Sequence, residues 1–243
     1  MWKRRTDRKT TASSDRLHGV TYPKARLLIV LAGLFLWSFS TGLPAADDPD
    51  LATDGEQPQV LVKTNLGNFE ITLYPEKSPK SVENFLDYVD AGFYDGTVFH
   101  RVIRDFVVQG GMYTQELESK PTQPPIPIEA DNDLSNLRGT VAVARAADPD
   151  SGTSQFFINL VDNHRLDFVN KDSGLTWGYT VFGKVTSGMD VIDAIGEVPT
   201  RAQGPFTADV PSPLVIIESA SVVQPQDAGT DAEDNADTSD SNS

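Results

Sequence analysis

Between residues 59 and 223 the chain is built from short runs in which apolar and polar residues alternate, and only two stretches carry a helical rhythm. Successive side chains on a strand point to opposite faces, so each such run buries one face and wets the other. QVLVKTNLGNFEITLY reads as two of these runs joined at Asn65-Leu66-Gly67-Asn68, a hairpin signal. TVFHRVI, FVVQGG, TVAVAR, SQFFINLV, YTVFGKV and PLVIIESASVV follow as further strands, rich in β-branched and aromatic residues.

The first helical stretch, SPKSVENFLDYVDAG, offers Ser78 as N-cap and Pro79 at the first helical position. Val82, Phe85, Leu86 and Val89 then recur at i, i+3, i+4 and i+7, and Gly92 stands past the end. A second helix fits SGMDVIDAIG, closed by Gly196. About eight strands with two helices do not alternate as strand–helix–strand units, which argues against a parallel sheet. An all-β dominated domain is therefore predicted, a closed eight-stranded antiparallel barrel capped by two α-helices. PTQPPIPIEAD and ADPDSGTS read as surface loops, where recognition commonly resides.

Composition shifts at both ends of this domain. Residues 1–46 hold eight Lys/Arg against two Asp/Glu, and an uncharged run, LLIVLAGLFLWSF, spans Leu27–Phe39. Basic, apolar and small-residue regions in that order predict a secretory signal, hence a periplasmic protein, and the run is short for a membrane span. An uncleaved anchor in the inner membrane is the alternative, and the only membrane association predicted. Residues 47–58 read as an acidic linker, and residues 224–243, with six acids and no basic residue, as a disordered tail. Beyond residue 46, twelve basic residues face thirty-three acidic ones, a net of −21, which excludes a nucleic-acid phosphate backbone as partner. With no cysteine and three widely spaced histidines, the sequence predicts no metal site, and no cofactor motif occurs.

One run poses a chemical question. In FHRVIRDFVVQGG, Arg101 lies among Phe99, Val102, Ile103, Phe106, Val107 and Val108. An unpaired buried cation is costly, so taken alone this arginine reads first as a snorkelling rim residue. Alternation adds a second observation: Val107 and Gln109 share one strand face, as do Gln155, Phe157 and Asn159 in SQFFIN. Arginine, amides and rings on such faces suit a shallow pocket for an apolar ligand. Singly, Gln109 also fits a lead into the Gly110-Gly111 turn, and Phe157 also fits ordinary core.

FHRVIRDFVVQGG, with SQFFIN and YTVFGKV, resembles the cyclophilin family of peptidyl-prolyl cis/trans isomerases, and GFYDGTVFHRVI, RGTVAVARAADPDSGTSQFFINLVDN and VFGKVTSGMDVID are similar to its bacterial periplasmic members. The likeness covers about residues 59–223. It implies the same barrel, with Arg101 as catalytic arginine and Phe106, Val107, Phe157 and Leu166 lining a proline pocket. It further implies that Gln109 and Gln155, with the backbone around Ala144 and Arg145, hold the peptide. Tyr179 stands where many members have His, and Arg165 where an aromatic is usual, which predicts weak inhibition by cyclosporin. The implied partners are proline-containing segments of unfolded or folding proteins, met by a monomer without cofactor. A non-catalytic module that holds such segments is the competing reading, and the presence of Arg101 favours catalysis.

Overall fold

The computed structural model describes residues 57–223. The predicted signal segment 1–46, most of the linker and the tail 224–243 lie outside the described residues.

The hairpin forms as read, from β1 (Gln59–Thr64) and β2 (Gly67–Leu73) around Asn65-Leu66. Helix α1 (Pro79–Asp90) follows, burying Val82, Phe85, Tyr88 and Val89. Gly92, at φ +61, turns the chain out of the helix in the left-handed region that glycine enters at little cost. Then come β3 (Val98–Phe99), β4 (Arg101–Ile103), β5 (Val107–Gly110), β6 (Thr140–Val143) and β7 (Phe156–Asn159). A 3-10 turn at His164–Leu166 leads on to β8 (Val181–Ser187) and α2 (Met189–Gly196). The hairpin β9 (Thr200–Gln203) and β10 (Phe206–Pro211) precedes β11 (Val215–Val222).

Nine strands form one antiparallel sheet in the order β3-β11-β1-β2-β8-β6-β7-β5-β4. The eight-strand expectation becomes nine because TVFHRVI is interrupted at His100. Its first half pairs with β11 and its second with β5, so one stretch of chain bridges both edges of the sheet and nearly closes the barrel. Inside, Val60, Phe69, Ile71, Val108, Val141, Ile158, Phe182 and Ile217 are fully shielded or nearly so, with α1 packed on β8 and β11. Helix α2 rests on β2, β4 and β5.

Two helix signals work differently from their sequence reading. The Ser78 hydroxyl makes no cap bond to α1; it donates to the Val181 carbonyl at 2.7 Å. Glu129, from the Pro-rich loop, takes over instead, accepting from the Lys80 and Ser81 amides at 3.0 and 2.9 Å. The first-turn N–H groups of any helix lack internal partners, and a carboxylate there also meets the positive end of the helix dipole. Gly196 does not stand past α2 but is its last residue, packed on Leu160, and Glu197 caps the end.

Candidate functional site

Strand register assembles the site. Arg101 lies opposite Gln109, Gln109 opposite Phe157, Phe157 opposite Ala142, and Ala142 opposite Val181. The neighbouring row, Val102, Val108, Ile158 and Val141, points into the core. Because alternate residues face opposite ways, the Arg101 row lies on the other face of the sheet, where Val107, Ala142, Phe157 and Val181 form a second apolar cluster. Phe106, Ala144, Leu166 and Tyr179 pack against it.

These residues surround a cavity of about 300 Å³, lined by Arg101, Phe106, Val107, Gln109, Ala144, Arg145, Phe157, Leu166 and Tyr179. Of the ten site residues singled out in the sequence, nine thus meet in one cavity. The tenth, Gln155, is joined to it through Gln109, whose Nε2 donates to the Gln155 side-chain oxygen at 3.2 Å. On its other side Gln109 Oε1 accepts from an Arg101 guanidinium nitrogen at 3.1 Å. Arg101 Nε stands 3.9 Å from the Asp209 carboxylate, and its guanidinium carbon 5.9 Å from the centre of the Phe106 ring. The arginine does reach water, with 38% of its side chain exposed, yet two partners orient it. Its second terminal nitrogen has no protein partner among the described residues.

The walls are fixed from behind. Phe157 and Tyr179 meet edge to face at 5.5 Å. Asn159 shares the Phe157 face as predicted, opposite Val107, and is fully buried there in a polar cluster: its amide donates to Thr140 Oγ1 and its oxygen accepts from Asn163. Asn163 also donates to the Phe106 carbonyl at 3.0 Å, and Asn136 to the Leu166 carbonyl at 3.1 Å. Two cavity walls are thereby tied to one hydrogen-bonded core, and buried amides of this kind are costly to leave unpaired.

Arg145 has a role that sequence reasoning missed. Its Nε and one terminal nitrogen donate to the Gly178 carbonyl at 2.9 and 2.7 Å, and that terminal nitrogen also reaches the Gly174 carbonyl. The guanidinium lies 4.7 Å from the Tyr179 ring centre. It therefore clamps the loop leading into Tyr179. Gly178 sits at φ +66, and a Cβ there would strike the Asp167 carbonyl carbon at 2.6 Å, so the clamped turn needs glycine.

Asp209 was also missed. It lies on β10 at φ +67, within a hairpin whose β9 is mostly exposed, and a pairing across 108 residues leaves no local sequence signal.

Behind Arg101, His100 is buried against Tyr113 and Phe206, with ring centres 4.6 and 5.3 Å away, and its Nδ1 has no hydrogen-bond partner. Burial first, and the adjacent Arg101 charge second, push its pKa down to about 4. It is held neutral.

The fold and site define an antiparallel-barrel domain that carries, on one face, an oriented arginine over an aromatic-walled cavity. The chain belongs to the cyclophilin-type peptidyl-prolyl cis-trans isomerases, whose family model (Cyclophilin type peptidyl-prolyl cis-trans isomerase/CLD) matches residues 59–222. Peptidyl-prolyl cis-trans isomerase A of Dickeya dadantii is 50% identical over 165 residues, covering 68% of this chain and 84% of that protein. Peptidyl-prolyl cis-trans isomerase B of Escherichia coli is 48% identical over 163 residues, covering 67% and 98%. Among solved structures, a cyclophilin type isomerase of Cryptosporidium parvum superposes with a TM-score of 0.59 at 24% identity, covering 70% of this chain and 99% of that one, a likeness of fold.

Proposed function

We propose that the 300 Å³ cavity receives the proline ring of a substrate and that Arg101 is the catalytic residue of the isomerisation. The observation that carries this reading is the Arg101 guanidinium, held at the cavity by Gln109 with donors to spare. Rotation about a peptide bond breaks no covalent bond but loses amide resonance, against a barrier of about 18–20 kcal/mol. As the amide twists, a lone pair returns to the prolyl nitrogen. A guanidinium that donates there stabilises the twisted state more than either planar one, and only such a difference accelerates the step. A hydrogen bond from a charged donor contributes about 1.5–3 kcal/mol, which is about 10- to 100-fold in rate. The remaining acceleration comes from position: Phe106, Val107, Phe157 and Leu166 hold the ring, with Tyr179 closing the wall. Gln109, Gln155 and the backbone at Ala144 and Arg145 fix the flanking residues. Arginine suits the task because its planar fork donates to two acceptors together and stays charged. In a cis/trans exchange assay on a short X-Pro peptide, Arg101→Ala is expected to lose about 10- to 100-fold. An undiminished rate removes Arg101 from the role.

The substrates in this reading are proline-containing segments of exported proteins folding in the periplasm. Its support is the basic stretch followed by the uncharged run Leu27–Phe39 and the small residues through Ala46. Fractionation of the native host with mass spectrometry of the mature N-terminus tests it. Periplasmic recovery of a chain shortened near residue 46 is expected, membrane recovery of the whole chain indicates the anchor, and cytoplasmic recovery rules out export.

A further inference from the structure

A second cavity, about 560 Å³, adjoins the first and shares Arg145, Leu166 and Tyr179 with it. Its remaining walls include Ala146, Ala147, Arg165 and Leu175. The charges here differ from those elsewhere. Arg101 faces Asp209, Arg104 faces Glu197, Arg138 faces Asp193 and Lys171 faces Asp131. Arg165 has no carboxylate partner among the described residues; its guanidinium carbon lies 4.3 Å from the centre of the Phe106 ring. Arg145 spends its donors on the carbonyls of Ala146, Gly174 and Gly178, which leave its charge uncompensated. Two guanidinium groups therefore border one cavity with no carboxylate to neutralise them, on a chain whose formal net charge is −15.

The geometry of the walls narrows what enters. Ala146, Ala147 and the almost fully exposed Leu175 present methyl and methylene surface, and the free guanidinium stands at the Phe106 side. An aliphatic stem ending in a carboxylate matches that order of groups. Residues of an extended peptide advance about 3.3 Å each, so a near neighbour of a proline bound in the first cavity reaches the second. Phe106 couples the two, since it lines the first cavity and lies under Arg165.

We propose that the second cavity is a specificity subsite for an acidic side chain, glutamate above all, carried by the substrate within two residues of the isomerised proline. The inference rests on the first cavity being the proline site. Arg165 donates to the carboxylate, and Arg145, each of whose three nitrogens already donates to a carbonyl, adds an attractive field. A partly exposed ion pair of this kind corresponds to about a two- to fivefold preference.

The test uses peptides with a single proline in which glutamate or glutamine occupies, in turn, each of the two positions before and after it. Dissociation constants come from NMR titration of the wild type, Arg165→Gln and Arg165→Lys, each checked for an intact amide spectrum. At one of these positions the wild type is expected to bind the glutamate peptide about two- to fivefold more tightly. Arg165→Gln is expected to lose that preference and Arg165→Lys to regain part of it. A ratio between two ligands on one protein cancels any general weakening of the variant. Equal affinities at all four positions overturn the proposal, as does a preference that Arg165→Gln retains. Exchange spectroscopy on the same samples reads turnover separately. A glutamate preference without turnover sinks the catalytic reading and supports the subsite, whereas turnover with equal affinities sinks the subsite alone.

Discussion

Arg101 and Gln109 lie opposite each other on adjacent strands, and the 3.1 Å bond between their side chains converts a strand register into the orientation of a cation. Gln109 has no freedom to turn away, because its amide nitrogen is held by Gln155, which itself donates to the Met112 sulfur at 3.0 Å. Gln109→Ala therefore leaves the charge and frees its direction. We expect kcat/KM for an X-Pro peptide to fall about tenfold, the equivalent of one charged hydrogen bond, with little change in stability. Steady-state kinetics beside a denaturation curve checks both halves of this prediction; a variant with wild-type turnover would show that the register alone orients Arg101.

Asp209 holds the same guanidinium from the Nε side. Asn tolerates the left-handed backbone as well as Asp does, so Asp209→Asn keeps the turn and removes only the charge. The pair is partly exposed on both sides, so its loss is expected to cost under about 1 kcal/mol of stability. On activity, kcat is expected to fall about two- to fivefold with KM unchanged, the pattern of a residue that positions a catalytic group. A rise in KM at constant kcat contradicts that assignment.

His100 makes stability depend on pH. Its folded pKa lies near 4, below the ordinary value of 6.5, so the neutral form is favoured in the native state. The unfolded chain binds the proton first as pH falls. Stability is therefore fully present above pH 6.5, declines below it, and the loss is complete below pH 4, reaching about 3 kcal/mol. Urea midpoints measured from pH 8 to pH 4 check this, and His100→Phe is expected to flatten the slope in that window. An equally steep decline in that variant assigns the dependence to other groups.

Glu129 caps α1 from a loop 48 residues away in sequence from Ser81. Glu129→Ala leaves the Lys80 and Ser81 amides without that carboxylate and is expected to cost about 1–2 kcal/mol of stability. Thermal or urea unfolding reads the loss. No measurable change would mean that water replaces the carboxylate at no cost.

What could be read in the sequence, and what could not, follows from the range of the interactions. The first hairpin, α1 and the Arg101 face were legible because each is written in a local period, two for strands and about 3.6 for helices. The same alternation that put Val107 and Gln109 on one face set the row that runs from Arg101 to Val181. The hairpin of β9 and β10 was illegible because TRAQ carries no apolar alternation and its first three residues are exposed. The Asp209 contact, the Glu129 cap and the Arg145 clamp join residues that only the tertiary fold brings together. His100 interrupts a strand whose composition gives no sign of a break. Asn159 does share the Phe157 face, opposite Val107, but strand parity says nothing of the buried polar partners, Thr140 and Asn163, that take up its side chain.

The order of strands also says when the domain can come together. β1 lies between β2 and β11, so among the described residues the earliest strand of the domain needs the latest one, residues 215–222, as a neighbour. Until then its outer edge has unpaired amides and carbonyls, and the split strand at His100 has only one of its two seams. Pairings this distant in sequence are slow to form. Closure of the barrel therefore waits on residues 215–222, and until they arrive the domain stays an open, unpaired sheet.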